Sequence, residues 1–371
     1  MDPSSGGLGS PAARHSALLH RLRERIAREG PLPFPEFLRE ALYHPHAGYY
    51  HGGREILGAR GDYQTAPRVS PLFGAVLAQH IGEIHLSMGR PSNFSLMELG
   101  PGDGSLLRDV WASLERGRPR SEVGGWKVRA VEVSSTLREQ ALQNLSGAAA
   151  VSWYDSLEGI APAEGVVWGN EFLDSLPFHR LVVHEGRWCS LLVDAPPDDP
   201  TRLVETVGPP VPDDWDRELP RDVPEGTMLE RISGLPELFR SLARMVPRGH
   251  LIFFDYGDTR ERLLARFPRG TLQTFHRHEG GLDPFRGLGS TDITAWVDFT
   301  YVQEVARGSG FHVSDYLDQS EALHRWGLDA ATEALVRATS GPVEQTQLRM
   351  ARKTYLFAYP TFRVLELVRQ G

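Results

Sequence analysis

The chain is poor in residues that build several common kinds of site. It has one cysteine, Cys189, which excludes an internal disulfide framework and any multi-cysteine metal centre. Cys189 lies in a strand-like stretch, residues 187–193, and reads as a small half-buried apolar residue. Lysine is nearly absent: only Lys127 and Lys353 occur, leaving arginine as 38 of the 40 cationic side chains. That skew reflects a GC-rich genome rather than an activity. A net charge of -8 disfavours a general nucleic-acid binder, which carries a basic surplus. No run approaches the ~18 apolar residues of a membrane span, so no membrane insertion is expected. The Gly/Ser/Pro-rich first fifteen residues lack the apolar core of a secretory signal. His44/His46 and His276/His278 have no further ligands at metal spacing, so no metal is expected. Neither a G-x-S-x-G elbow nor a phosphate-binding G-x-x-x-x-G-K-S/T loop occurs.

At 371 residues with 40% hydrophobic side chains, the chain suits one large globular domain with additions, or two modest ones. Residues 16–30 place Leu18, Leu19, Leu22 and Ile26 at helical spacing. Glu24 and Glu29 interleave with the arginines there, which favours a structural helix over a transit peptide. A cytoplasmic setting follows, with the mitochondrial matrix as the alternative. A second short helix is expected over 36–43 and a third over 70–88, separated by a glycine- and aromatic-rich segment, 44–67.

From residue 95 the pattern becomes strand, turn, helix, repeated. Strands are expected at 95–99, 128–133, 151–154, 165–168 and 251–256, with helices at 104–114, 136–145 and 235–245. Such alternation implies a parallel sheet with helices on both faces, and ligands at the edge formed by the strand C-termini. Residues 179–194 read as a hairpin around Glu185-Gly186. Residues 195–225 break the composition, with ten acidic residues against three arginines over 194–225. They read as a solvated surface insertion, or as an acidic lip for a cationic substrate. The expected layout is a disordered tail at 1–15, a helical cap at 16–90, and a catalytic α/β domain at 91–371 with an insertion around 179–230.

Five features carry chemistry. Gly100, Gly102 and Gly104 follow a predicted strand and open a helix, where small residues let the backbone approach a ligand and free N–H groups face an anion. Their spacing is G-x-G-x-G after Glu98, not the G-x-G-x-x-G of nicotinamide-dependent oxidoreductases. With no pyrophosphate to cradle, this loop can lie against the homocysteine part of S-adenosyl-L-methionine. Glu132, at the next strand tip, can accept both ribose hydroxyls. Asp155 and Ser156 follow the third strand, where a carboxylate can accept the adenine amino group. Asn170, Glu171 and Asp174 gather after the fourth strand, at the border of a transferable methyl group; a capped turn held by Asp174 is the plainer alternative. Asp255, ending the 251–256 strand, either closes the far side of the pocket or terminates the strand.

The combination resembles the MidA-like methyltransferase family. The matching stretches are Gly61–Pro67 with Ser70–Gly74, the loop from Glu98 to Gly104, Asn170–Pro177, Phe254–Gly257, Asp292–Phe299, and Tyr359–Leu365 as a closing strand. This family includes the mitochondrial protein-arginine methyltransferase that assists assembly of respiratory complex I. The resemblance implies a Rossmann-like doubly wound α/β methyltransferase sheet with an N-terminal helical segment and substrate-side insertions. It also implies a protein substrate whose arginine is methylated, with a respiratory-complex subunit as the example. Glu171 and Asp174 are then expected to bind the guanidinium, and Asp62 and Thr65 to help close the pocket. Gln64, Ala66 and Trp296 depart from the family's pattern, and the acidic 195–225 stretch has no match in it. A small-molecule methyltransferase and a non-catalytic assembly factor retaining the cofactor pocket are the alternatives.

Overall fold

A computed structural model describes residues 10–51, 69–118, 120–146, 150–276, 279–281 and 283–371. Asp62, Thr65 and the Gly61–Pro67 motif lie outside the described residues. The chain forms two compact units drawn from alternating stretches. One comprises the described residues of Leu57–Leu173, Gly234–Gly257 and Val302–Gly371; the other those of Met1–Ile56, Asp174–Ser233 and Asp258–Tyr301.

The larger unit is built on seven strands: β1 (Phe94–Leu99), β2 (Lys127–Val131), β3 (Val151–Tyr154), β4 (Glu164–Asn170), β5 (Gly249–Asp258), β6 (His312–Asp318) and β7 (Phe362–Arg369). Their order is β3-β2-β1-β4-β5-β7-β6. β7 runs antiparallel to both neighbours, while β3, β2, β1, β4 and β5 pair in parallel. This is the doubly wound sheet expected from the alternation. The order reverses between β1 and β4, the switch point where such sheets open a crevice at their C-terminal edge. All six residues of β1 are buried, as a central parallel strand covered on both faces requires.

Helix α1 (Leu72–Ser87) is apolar nearly all round because it is buried nearly all round, with Leu72, Phe73, Val76, Leu77 and Ile81 at 0% exposure. It lies against α2 (Ser105–Gly117), which follows β1. Phe73 meets Phe254 of β5 edge-on at 5.0 Å between ring centres and Tyr355 at 5.8 Å. Truncating a ring buried this completely costs about 3–5 kcal/mol. Helix α3 (Ser135–Asn144) is capped by Ser134 Oγ, which accepts the Leu137 N–H at 3.3 Å.

One buried carboxylate crosses this core. Glu366 of β7, 2% exposed, bonds His250 Nδ1 at 2.6 Å and His80 Nε2 at 2.9 Å. Burial alone would raise its pKa, but the two imidazoles outweigh burial and hold it at about 2. A carboxyl depressed below its unfolded value of about 4.3 stabilises the fold fully above that value and loses the contribution as pH falls toward 2. Glu366→Gln is therefore expected to lower the melting temperature at neutral pH and to flatten the acid limb of a stability–pH profile. An unaltered acid limb in that profile would contradict the assignment.

The smaller unit carries the expected hairpin. Strands Phe178–His184 and Arg187–Asp194 pair through Glu185-Gly186, with φ of 51° and 71°, the left-handed pair that a two-residue turn between twisted strands demands. Leu32–Pro33, Met228–Ile232 and Val204–Pro210 complete this sheet. A second, three-stranded sheet joins Gln273–His276, Glu279–Gly281 and Asp292–Thr294. The helix Pro11–Glu29 starts at Ser10, whose Oγ accepts the Ala13 N–H at 3.2 Å.

The 195–225 stretch is not the solvated loop its acidity suggested. Val204–Pro210 pairs with the hairpin, and Asp213–Glu218 is a short helix. Val211, Trp215 and Leu219, four residues apart, pack with Leu181, Trp188 and Leu229. The carbonyls of Pro196, Asp199 and Arg202 all accept from the Arg23 guanidinium, at 3.1, 2.8 and 3.0 Å. The acids occupy the outer face of an ordered element, so charge count alone hid its apolar spacing.

Candidate cofactor site

The glycine loop leaves β1 and enters α2 through three left-handed residues: φ is 63° at Gly100, 56° at Gly102 and 74° at Gly104. Packing adds a second constraint at two of them. A Cβ on Gly100 would stand 3.2 Å from Phe172, and one on Gly104 3.0 Å from Ala141 and Leu145. The turn is fixed by Gly100 N–H donating to Val131 O and Gly104 N–H to Pro101 O, both at 2.9 Å. Asp103 accepts the Ser105 N–H at the start of α2.

Glu132, just past β2, is tied directly to that loop. Its Oε2 accepts the Gly102 N–H at 3.2 Å and its Oε1 the Ser134 N–H at 2.8 Å. Burial raises its pKa, while these backbone donors pull the other way. Each oxygen keeps a second lone pair, so a pair of hydroxyls can still donate to the same carboxylate. Asp155 and Ser156 follow β3 and are exposed.

Glu98 lies beneath the loop, inside the sheet, at 2% exposure. Burial pushes its pKa to about 8, and the carboxylates of Asp103 and Glu132 add to the rise. The Trp168 indole and the Leu107 N–H face it and favour ionisation, yet neither that indole nor Oε2 completes a bond of normal geometry. Its surroundings thus favour the neutral acid over the carboxylate. A carboxyl raised in this way stabilises the fold fully below its unfolded value, and the contribution is lost as pH climbs to about 8. Glu98→Gln is expected to remove the decline in stability between about pH 4.5 and pH 8; an identical slope in denaturant titrations of both proteins would contradict this.

At the tip of β4 the chain turns sharply. Glu171 holds φ of 49°, a left-handed conformation unusual for a residue with a side chain, and its N–H donates to Phe254 O at 2.8 Å. Asn170 Nδ2 lies 3.3 Å from Glu171 Oε1. Asp255 is fully buried and accepts the Leu173 N–H at 2.9 Å and the Tyr256 N–H at 3.1 Å, so it holds this turn. Phe172 packs on Gly100 and Gly169. The glycine loop, Glu132, Asn170 and Glu171 therefore share one edge of one unit.

Tyr359, which the sequence marked only as part of a closing strand, also belongs here. Burial raises its pKa, and the nearby Glu171 carboxylate raises it further. Its only sequence signal is its place just before β7. Asp174 falls in the smaller unit, where Thr294 Oγ1 donates to its backbone carbonyl at 3.1 Å and approaches Oδ2 at 3.3 Å.

A family of S-adenosyl-L-methionine-dependent methyltransferases matches residues 76–317. The chain belongs to that family. Among curated proteins, this methyltransferase is 30% identical over 353 residues to the mitochondrial protein arginine methyltransferase NDUFAF7 homolog of Drosophila melanogaster, covering 87% of this chain and 77% of the fly protein. Human mitochondrial protein arginine methyltransferase NDUFAF7 is 26% identical over 359 residues, covering 89% and 78%. A crystal structure of a superfamily relative from Burkholderia thailandensis, bound to S-adenosyl-homocysteine, aligns with a TM-score of 0.84 at 28% identity, over 97% of this chain and 94% of that one.

S-adenosyl-L-methionine is accordingly the cofactor of this methyltransferase, and the edge just described suits it. Asn170 Oδ1 is buried with no donor among the described residues, an acceptor fitted to an ammonium group. Three left-handed glycines leave the main chain bare where an amino-acid moiety must press against it. Among the described residues, no helix is long and apolar enough to cross a membrane.

Proposed function

We propose that this methyltransferase modifies arginine side chains of a protein. The observation that carries the reading is the naming of its relatives: those at 25–30% identity, spanning most of this chain, are protein arginine methyltransferases. The site chemistry agrees with it. An arginine guanidinium is charged at neutral pH and offers a planar fork of donors. Glu171 can take two of those donors and aim a third nitrogen along the line of attack. Asn170 holds the Glu171 carboxylate, and the Tyr359 hydroxyl borders it. Asp255 fixes the turn that carries all of this, as a positioning residue. In the smaller unit Asp174, held by Thr294, is a second carboxylate to test in the same way.

The cofactor would supply an electrophilic methyl group on a sulfonium for in-line displacement: a nitrogen–carbon bond forms as the carbon–sulfur bond breaks, S-adenosyl-homocysteine leaves, and the guanidinium gives up one proton. The chain's own task is to hold the two reactants about 3–3.5 Å apart and exclude water. Glu132 would accept the ribose hydroxyls, Asn170 Oδ1 the ammonium, and Asp155 with Ser156 the adenine edge. A mitochondrial rather than a cytoplasmic setting draws support from the mitochondrial naming of the relatives, and a respiratory-complex subunit is the acceptor proposed there.

Incubation of the protein with methyl-tritiated cofactor and a proteome, followed by acid hydrolysis, tests the reading. Label is expected in methylated arginine. Label confined to small molecules, or to other amino acids, would overturn it.

A further inference from the structure

The smaller unit carries an open cavity of about 430 Å3 that no step above uses. Its floor is aromatic: Phe267 and Trp296 meet edge-on at 4.8 Å. Its rim is cationic: Arg262 and Arg266 stand one turn apart on the helix Arg260–Arg266. The Arg266 guanidinium lies 5.0 Å from the Phe267 ring centre and 5.2 Å from that of Trp296. A guanidinium braced on rings loses little freedom when its in-plane donors bind, which is why arginine on aromatics suits bidentate acids.

Arg262 is partly neutralised by Asp258 at 3.5 Å. Among the described residues, Arg266 is held by the two ring contacts and by no ion pair. In a chain of net charge -8, this is a local cationic spot over an apolar floor. The two parts together select the occupant. A cationic rim calls for an anionic head, and a ring floor calls for an aliphatic stem lying flat on it. Inorganic phosphate has the first and lacks the second, whereas a glutamate side chain has both.

We propose that the Arg266–Trp296 cavity of the smaller unit docks a glutamate side chain of a protein segment. The protein nature of the partner rests on the arginine reading above.

The test is a fluorine NMR titration of the full chain labelled with 5-fluorotryptophan, without cofactor or acceptor. The Trp296 line is assigned by its loss in Trp296→Phe. Capped hexaglutamate is expected to shift that line saturably, more weakly as salt rises. Arg266→Gln should weaken binding about tenfold while the other tryptophan lines stay put, which reports an intact fold. Equal binding by Arg266→Gln, or by capped hexaglutamine, would overturn the proposal. So would inorganic phosphate binding as tightly as the peptide at equal concentration. Because no methyl transfer is read, failure here leaves the arginine reading standing, and failure of the tritium assay leaves this titration interpretable.

Discussion

A Gly102→Val protein is expected to lose affinity for S-adenosyl-homocysteine by about a hundredfold or more. Gly102 sits at φ of 56°, a region that a β-branched side chain occupies only as an outlier. The loop must shift to accept valine, and the shift does not stop there. The Gly102 N–H is a hydrogen-bond donor to Glu132, so displacing the loop also displaces the acid assigned to the ribose. Two halves of the binding surface are therefore lost through one residue. Calorimetric titration, with a melting curve to show that the fold is retained, gives the result. Near-native affinity in a folded Gly102→Val protein would show that the loop does not touch the cofactor.

The second large effect is expected from Glu171→Gln, which should cut single-turnover methyl transfer about a hundredfold or more while changing S-adenosyl-homocysteine affinity by no more than about threefold. Glutamine keeps the size and one acceptor but removes the charge that pairs with a guanidinium. The position itself is unusual. A non-glycine residue in the left-handed region costs of order 1–3 kcal/mol and persists where its surroundings hold it in place. Here the Phe254 carbonyl takes the Glu171 N–H, and Asp255 takes that of Leu173. Unchanged turnover would remove Glu171 from the reaction, and a parallel loss of cofactor affinity would move it to the cofactor instead.

Much of the larger unit can be read in the sequence because its signals are local. β1 is short and mostly apolar, with Phe94, Leu96, Met97 and Leu99 among its six buried residues, and the three glycines after it announce a turn that no other residue adopts easily. Helix 235–245 is legible from end to end because a proline opens it and its apolar face is regular. The hairpin at Glu185-Gly186 is equally local. What escapes is non-local. Antiparallel insertion of β7 between β5 and β6 depends on pairing across more than a hundred residues, and nothing within Phe362–Arg369 announces its neighbours. Glu366 shows the same limit: it reads as a surface acid until His80 and His250, distant in sequence, are brought to it.

The site divides in the same manner. Glycine spacing and the acid after β2 are visible as motifs, and the structure adds the bond that joins them, Gly102 N–H to Glu132. Glu98 precedes the loop in sequence, and the structure adds its burial beneath that loop, facing Trp168. Asp255 could have faced the pocket or ended a strand; burial and two backbone donors assign it to the turn. Tyr359 became visible only through its proximity to Glu171.

The most direct measurement is a crystal of this protein soaked with S-adenosyl-homocysteine. Both ribose hydroxyls should lie within hydrogen-bonding distance of the Glu132 carboxylate, the amino-acid end against Gly100–Gly104, and the amino group on Asn170 Oδ1. A ligand bound with Glu132 and the glycine loop untouched, or an empty edge at saturating ligand, would contradict the account.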